Sequence, residues 1–273
     1  MGRLLLLRPF LSGTILFVGL AILIAFACSA GRWSRLPVLL GLTLVVLSAV
    51  PAAPAMYVAL VAATVAWFRW AGAAAPRGRL TKAALAVVAT TMAAAELPAF
   101  LGRTISLAAP RTIIVLGDSL SAGDQAWPAT FAASSGCAVD NRAAPGARLS
   151  AGARQIGSSA APCDVLIALG GNDILGEAGP DRFAADLESL LRAVTTTGCH
   201  GTMLELPLFP FQNTYGRAQR RLAAQYGITL VPRRVLTAAL TRQGHTIDGL
   251  HLSAAGHSWL GRELSAWIRC TPA

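Results

Sequence analysis

Four apolar stretches, Pro9 to Ala30, Leu36 to Val50, Pro54 to Trp70 and Ala83 to Leu101, fill most of the first hundred residues of this 273-residue chain. Segments so apolar must either be buried in a core or meet lipid. A helix that crosses a bilayer takes about 20 residues, within about 17 to 25. The first and fourth stretches have that length; the second and third are short, and the uncharged Pro51-Ala52-Ala53-Pro54 between them is a turn that would close them into a tight hairpin. The expectation is a transmembrane helical region over residues 1–103 with about four spans and the lipid bilayer as its partner. The alternative for residues 1–30 is a cleaved signal peptide, with Arg3 and Arg8 as its basic region and Ala25-Phe26-Ala27 as the cleavage site. Ala25-Phe26-Ala27-Cys28 is a poor lipoprotein signal, because the position three before the cysteine is neither branched nor leucine-like.

The net charge of +10 divides unevenly. Residues 1–110 carry nine Lys/Arg against the single acid Glu96, a balance of +8, whereas residues 111–273 carry fourteen Arg against twelve acids, a balance of +2. The excess flanks apolar segments and does not form a basic patch interleaved with aromatics on a folded domain, so nucleic acid is not expected as a partner. The basic loops also orient the spans. Placing Arg32 and Arg35 of the first connection and Arg69, Arg77, Arg79 and Lys82 of the third in the cytoplasm puts both ends of a four-span region outside. Arg3 and Arg8 argue the other way, since an inside N-terminus would leave the following half in the cytoplasm. Glu96 lies within the fourth stretch, where an acid is by default a functional candidate; its place just before Pro98, near a helix end, instead lets the side chain reach the interface.

From residue 111 the pattern changes to short apolar runs alternating with helical segments, the mark of a parallel α/β sheet with helices on both faces. The strands fall at Thr112 to Leu116, Ala138 to Asn141, Val165 to Leu169, Thr202 to Leu206 and Ile228 to Val231; the helices run from Leu120 to Ser134, Asp181 to Thr196, Tyr215 to Tyr226 and Ala254 to Ile268. Residues 102–110 read as a short connection. Ligands of such sheets bind beyond the carboxyl ends of the strands. Gly117-Asp118-Ser119-Leu120 follows the first strand directly, so Ser119 falls at a strand-to-helix turn, where a helix N-terminus would favour negative charge.

Three further blocks follow in order: Asn141 to Gly146, Gly170-Gly171-Asn172-Asp173, and Asp248-Gly249-Leu250-His251. Together with Gly117-Asp118-Ser119-Leu120-Ser121-Ala122-Gly123 and Trp127-Pro128 they resemble the SGNH (GDSL-type) hydrolases over roughly residues 111 to 270, most nearly the thioesterase/lysophospholipase/arylesterase branch. The resemblance implies a flavodoxin-like, three-layer α/β domain over residues 111–273. It also implies Ser119 as nucleophile, His251 as catalytic base, and an oxyanion hole from the backbone N–H of Ser119, the backbone N–H of Gly146 and the side-chain amide of Asn172. Chemistry agrees with the assignment. A serine hydroxyl is a weak nucleophile without an adjacent base, and Asp248, three residues before His251, stands where a helical turn would bring both side chains to one face. The carboxylate would hold one imidazole nitrogen protonated while the other takes the serine proton. His200, His245 and His257 lack a carboxylate at that offset, and His257 falls in the last helix as a structural residue. Asp173 is expected to support its loop and not to react.

The implied function is a membrane-anchored serine ester hydrolase (esterase, lipase or thioesterase type) acting on an acyl ester; the alternative is an O-acyltransferase or deacetylase acting on envelope glycans. Phosphate-loop and dinucleotide fingerprints are absent, as is metal-ligand spacing, so no cofactor is expected. The apolar, aromatic Leu206 to Tyr215 is expected either to line an acyl pocket or to cover the sheet end. Cys28 lies in the first half; Cys137, Cys163 and Cys199 each precede a strand and Cys270 ends the last helix, which places four cysteines opposite the catalytic rim. That even number suits an oxidising compartment, with three pairings open, and with it a catalytic domain outside the cytoplasm. Oligomeric state is left open.

Overall fold

A computed structural model describes residues 3–29, 31–108, 112–157 and 163–271. The chain divides into two compact units, one of Pro9–Leu101 with Leu208–Asn213, the other of Met1–Arg8, Gly102–Pro207 and Thr214–Ala273.

The first unit is helical. Its elements are the part of α1 (Arg3–Ser12) from Pro9 onward, α2 (Thr14–Ala27), α3 (Arg35–Leu47), α4 (Pro54–Trp70) and α5 (Arg77–Leu101). Gly13, at φ 81°, separates α1 from α2, and the helices meet at 86°. Packing of α2 on α3 depends on small residues: a Cβ on Gly19 would stand 2.7 Å from Gly41 O, and one on Gly41 2.9 Å from Gly19 O. Leu16, Leu20, Leu23, Leu60, Leu85 and Met92 fill the interior, and Trp67 Nε1 donates to Ala27 O at 2.8 Å. The outside is apolar too, with Leu39, Leu40, Val58, Val61, Val65 and Val87 exposed.

Only α5, 25 residues long and with a mean hydropathy of 1.7 over its most apolar 18-residue window, is by itself long and apolar enough among the described residues to cross a membrane; α1 and α2 add a second candidate if the bent pair counts as one. The second and third apolar stretches form helices of 13 and 17 residues. By length and composition one or two helices among the described residues could span, where the sequence pattern leads one to expect about four. Glu96 does not turn outward either; it is buried, at 7% exposure, inside α5.

The second unit contains β1 (Ile105–Ala108), β2 (Thr112–Gly117), α6 (Trp127–Ser135), β3 (Ala138–Asn141), α7 (Leu149–Ile156), β4 (Asp164–Ala168), α8 (Gly171–Leu175), α9 (Pro180–Thr196), β5 (His200–Leu204), α10 (Asn213–Gln225), β6 (Thr229–Val231), α11 (Arg233–Thr241), α12 (Ala254–Trp267) and β7 (Ile268–Thr271). Five parallel strands run in the order β3-β2-β4-β5-β6. This is the flavodoxin-like order, whose ligand crevice lies where the direction of strand addition reverses, here between β2 and β4. Ile113 and Val115 pack into a core with Trp127, Phe131, Val235, Leu260 and Leu264 of α6, α11 and α12. The intervening Ile114 and Leu116 are equally buried and, with side chains alternating along a strand, face the other way. On α7, Gly152 lets the helix meet Leu190 of α9, which a Cβ would approach to 2.6 Å.

Residues 102–108, the described part of the expected connection over 102–110, are more than a connection. β1 pairs in parallel with β7, Ile105 opposite Ile268, in a second, two-stranded sheet. Cys137 is joined to Cys270, which lies in β7 and not at the end of α12, and Cys163 is joined to Cys199, with Cα separations of 5.1 and 4.7 Å. Cys137, Cys163 and Cys199 sit at the amino ends of β3, β4 and β5, opposite the strand ends that lead to Ser119, Gly146 and Asn172.

Candidate active site

The path to Ser119 is set by the end of β2. A Cβ on Gly117 would stand 2.6 Å from Ser121 Cβ and 2.7 Å from its Oγ, so only glycine lets the chain fold back this closely. The fold-back is a turn, in which the N–H groups of Ser121 and Ala122 both donate to Asp118 O at 3.0 Å. Ser119 is half-buried on this turn, and α6 starts only at Trp127. The expected helix from Leu120, with Ser119 at its N-terminus, is therefore corrected. Ser121, wholly buried, anchors the turn: Trp127 Nε1 donates to its Oγ at 3.0 Å and Asn141 Nδ2 to its carbonyl at 2.8 Å.

Gly146 lies exposed in the loop after β3, at φ 74° and with open space where a Cβ would be. That loop hangs on β2 through Arg142 N–H to Val115 O at 3.0 Å and Ala144 N–H to Gly117 O at 3.1 Å. Asn172 is the second residue of α8. Its Nδ2 donates to Ala147 O at 3.0 Å and stands 3.5 Å from Asp118 Oδ2, so it touches both the Gly146 loop and the Ser119 turn. Asp173, 2% exposed, accepts from Leu149 N–H at 3.0 Å and so holds the start of α7. Burial raises its pKa, against the Leu149 N–H and the Arg148 charge.

Asp248 and His251 meet, though not on a helical turn: they lie in the irregular segment between α11 and α12, closed by a bridge between Thr246 and Leu252. Asp248 Oδ1 accepts from the N–H groups of Leu250 at 2.8 Å and His251 at 2.7 Å, and Oδ2 lies 2.7 Å from His251 Nδ1. The His251 side chain, then these N–H groups, hold the carboxyl well below the usual carboxylate range. With Nδ1–H donating to Asp248, Nε2 is left as the acceptor. Asp118, next to Ser119, is buried; desolvation raises its pKa, opposed by the Leu120 N–H and by the His251 charge.

The other described histidines lie elsewhere. His257 Nδ1 accepts from Trp127 N–H at 3.2 Å, His245 is buried against the Trp259 ring at 5.4 Å, and His200 starts β5. No group of three or more His, Cys, Asp or Glu among the described residues could hold a metal ion. A cleft of about 400 Å³ lies between the start of α6 and the end of β3, bounded by Gly123, Asp124, Pro128, Val139, Asn141 and Ala143, and none of Ser119, Gly146, Asn172 and His251 lines it. Leu206 to Tyr215 is divided between the units: Leu208–Asn213 groups with the helical one, and Phe209 and Phe211 are exposed. Sequence reasoning missed Gln155 of α7, whose side-chain amide bonds to both backbone groups of Gly117. A lone glutamine in a short helix of small residues carries no signal.

Comparison with known proteins fits this arrangement. The model of the GDSL-like Lipase/Acylhydrolase family matches residues 115–259, just over half of the chain. Among solved structures, the psychrotrophic esterase EstA from Pseudoalteromonas sp., in a form inhibited by monoethylphosphonate, is similar at 19% identity over 57% of this chain and 96% of that one, with a TM-score of 0.51. The crystal structure of TesA is similar at 27% identity over the same shares, with a TM-score of 0.50. No curated protein matches.

Proposed function

The chain belongs to the GDSL-like Lipase/Acylhydrolase family of esterase-type serine hydrolases, and from that premise we propose that it cleaves carboxylic esters through an acyl-enzyme on Ser119. The observation that carries the reading is the Asp248–His251 pair, with Nδ1 occupied at 2.7 Å and Nε2 left to accept a proton. Ser119 Oγ attacks the ester carbonyl as His251 Nε2 takes its proton, and the carbonyl oxygen becomes an oxyanion. Ser119 N–H, Gly146 N–H and Asn172 Nδ2 are its donors; removing one such donor typically costs about 10² to 10³ in rate. The tetrahedral species collapses, the alcohol leaves with the proton from His251, and water repeats the sequence to release the acid. Asp248 fixes the imidazole tautomer and stabilises its cation without itself taking the proton.

The test is hydrolysis of p-nitrophenyl esters by the full-length protein, paired with labelling by a fluorophosphonate. Ser119→Ala and His251→Ala should abolish turnover, and Ser119→Ala should also abolish labelling, whereas Asp248→Asn should retain more activity than either. Full turnover in Ser119→Ala would sink the assignment.

The helical unit anchors the enzyme to a membrane, with the hydrolase unit outside the cytoplasm. Helices apolar on both their buried and exposed faces support the first part, and two disulfides the second, since such bonds persist in oxidising compartments. An alkaline phosphatase fused after Ala273 should be active; an inactive phosphatase with a fluorescent cytoplasmic fusion at the same site reverses the topology.

A further inference from the structure

We propose that Gln155 is the positioning residue for the nucleophile, an inference that rests on Ser119 being that nucleophile. Its side-chain amide makes a paired contact with the last residue of β2: Oε1 accepts from Gly117 N–H at 3.1 Å, and Nε2 donates to Gly117 O at 2.8 Å. Gly117 is two residues before Ser119, and Asp118 O between them accepts the two bonds that close the turn. A shift at Gly117 therefore moves Ser119 Oγ.

The helix that carries Gln155 is fastened at both ends. At its start Asp173 Oδ2 accepts from Leu149 N–H at 3.0 Å, one residue along from Asn172. At its end the Arg142 guanidinium donates to the carbonyls of Gln155 and Ile156 while pairing with Asp140 at 2.7 Å. Gly146 lies in the loop that enters α7, three residues before Leu149. One short helix thus references three pieces of the site to one another: the Ser119 turn through Gln155, the Asn172 segment through Asp173, and the Gly146 loop through the chain itself. Gln155 is the only one of these ties that grips the backbone at both N–H and C=O, so it fixes orientation as well as distance.

Because the contact needs one donor and one acceptor, it can be edited chemically. Gln155→Leu removes both. Gln155→Glu keeps the shape; when protonated it donates to Gly117 O and accepts from Gly117 N–H as glutamine does, and when ionised it has no donor and sets a negative charge against a carbonyl. The full-length protein in detergent is assayed on a soluble short-chain p-nitrophenyl ester and with the fluorophosphonate. In Gln155→Leu, kcat and the labelling rate should fall by about 10²-fold with KM unchanged, the size of effect that a small misplacement of a reacting group produces. In Gln155→Glu, activity relative to wild type at each pH should be highest at the acid end and fall as pH rises through the carboxyl's titration; taking the ratio cancels the titration of His251. Unchanged kcat and labelling in Gln155→Leu, or a ratio for Gln155→Glu that is flat with pH, overturns the proposal while wild-type labelling at Ser119 leaves the nucleophile assignment standing. If Gln155→Leu does not fold, the pH ratio of Gln155→Glu decides alone. A wild-type protein that neither turns over ester nor takes the phosphonate on Ser119 overturns the nucleophile assignment and this inference with it.

Discussion

A single imidazole, His257, governs how α6 begins. The residue before that helix, Ala126, has no side chain to cap it, and Trp127 N–H donates instead to His257 Nδ1 at 3.2 Å. Only a neutral ring accepts there, and burial accordingly lowers the His257 pKa below the ordinary histidine value of about 6.5. The unfolded chain then binds the proton more readily than the folded one. The contact's contribution is complete above that ordinary value and is lost as pH falls through it towards the folded value. We expect the unfolding midpoint of His257→Gln, which keeps an acceptor, to decline less between neutral and mildly acid pH than that of wild type; parallel declines in thermal melts would refute this. At this scale the sequence is informative where chemistry imposes a spacing. Asp248 and His251 are recognisable three residues apart, although the reason they meet is a carboxylate bound to the backbone N–H groups of its own loop and not a helical turn.

Elements were legible in proportion to how far they bury apolar surface. β2 and β4, apolar after their first residues Thr112 and Asp164 and buried on both faces, stand out as continuous runs. β1 and β7 have four residues each, and each is completed by a partner far away in the chain, so neither leaves a local mark. α7 has eight residues, several of them small, and its place is fixed by Asp173, Arg142 and Gln155, which no periodicity records. The late start of α6 did have a signal in Pro128 at its first turn, a position that favours proline. Gly117 tests the strand-to-turn junction: Gly117→Ala places a methyl against Ser121, and overpacking of this kind typically costs about 1–3 kcal/mol. Denaturant unfolding should show that loss together with slower ester turnover, and wild-type values in both would mean that Ser121 can yield.

For the molecule as a whole, charge asymmetry and the change of pattern near residue 111 separate an apolar helical part from an α/β part, but not the number of spans, because helix length in the folded chain depends on breaks such as the one at Gly13. The disulfides hold the α/β part at its amino-end face. Removing Cys137–Cys270 by the double substitution Cys137→Ser, Cys270→Ser should cost about 2–5 kcal/mol, measured as a lower denaturant midpoint that reductant no longer shifts as far as it shifts wild type. An unaltered midpoint would show that β7 stays in place without the bond.

The pairing of β1 with β7 also constrains how this protein can be made. β1 is synthesised before every strand of the main sheet and β7 after all of them, so the small sheet has only one of its halves while the rest of the unit is being assembled. Cys137, 133 residues ahead of Cys270, is without its partner over the same interval. Maturation of this unit is therefore closed by the last strand to emerge, and until then a catalytic fold with its main sheet complete would still carry an open strand edge and a cysteine available for exchange.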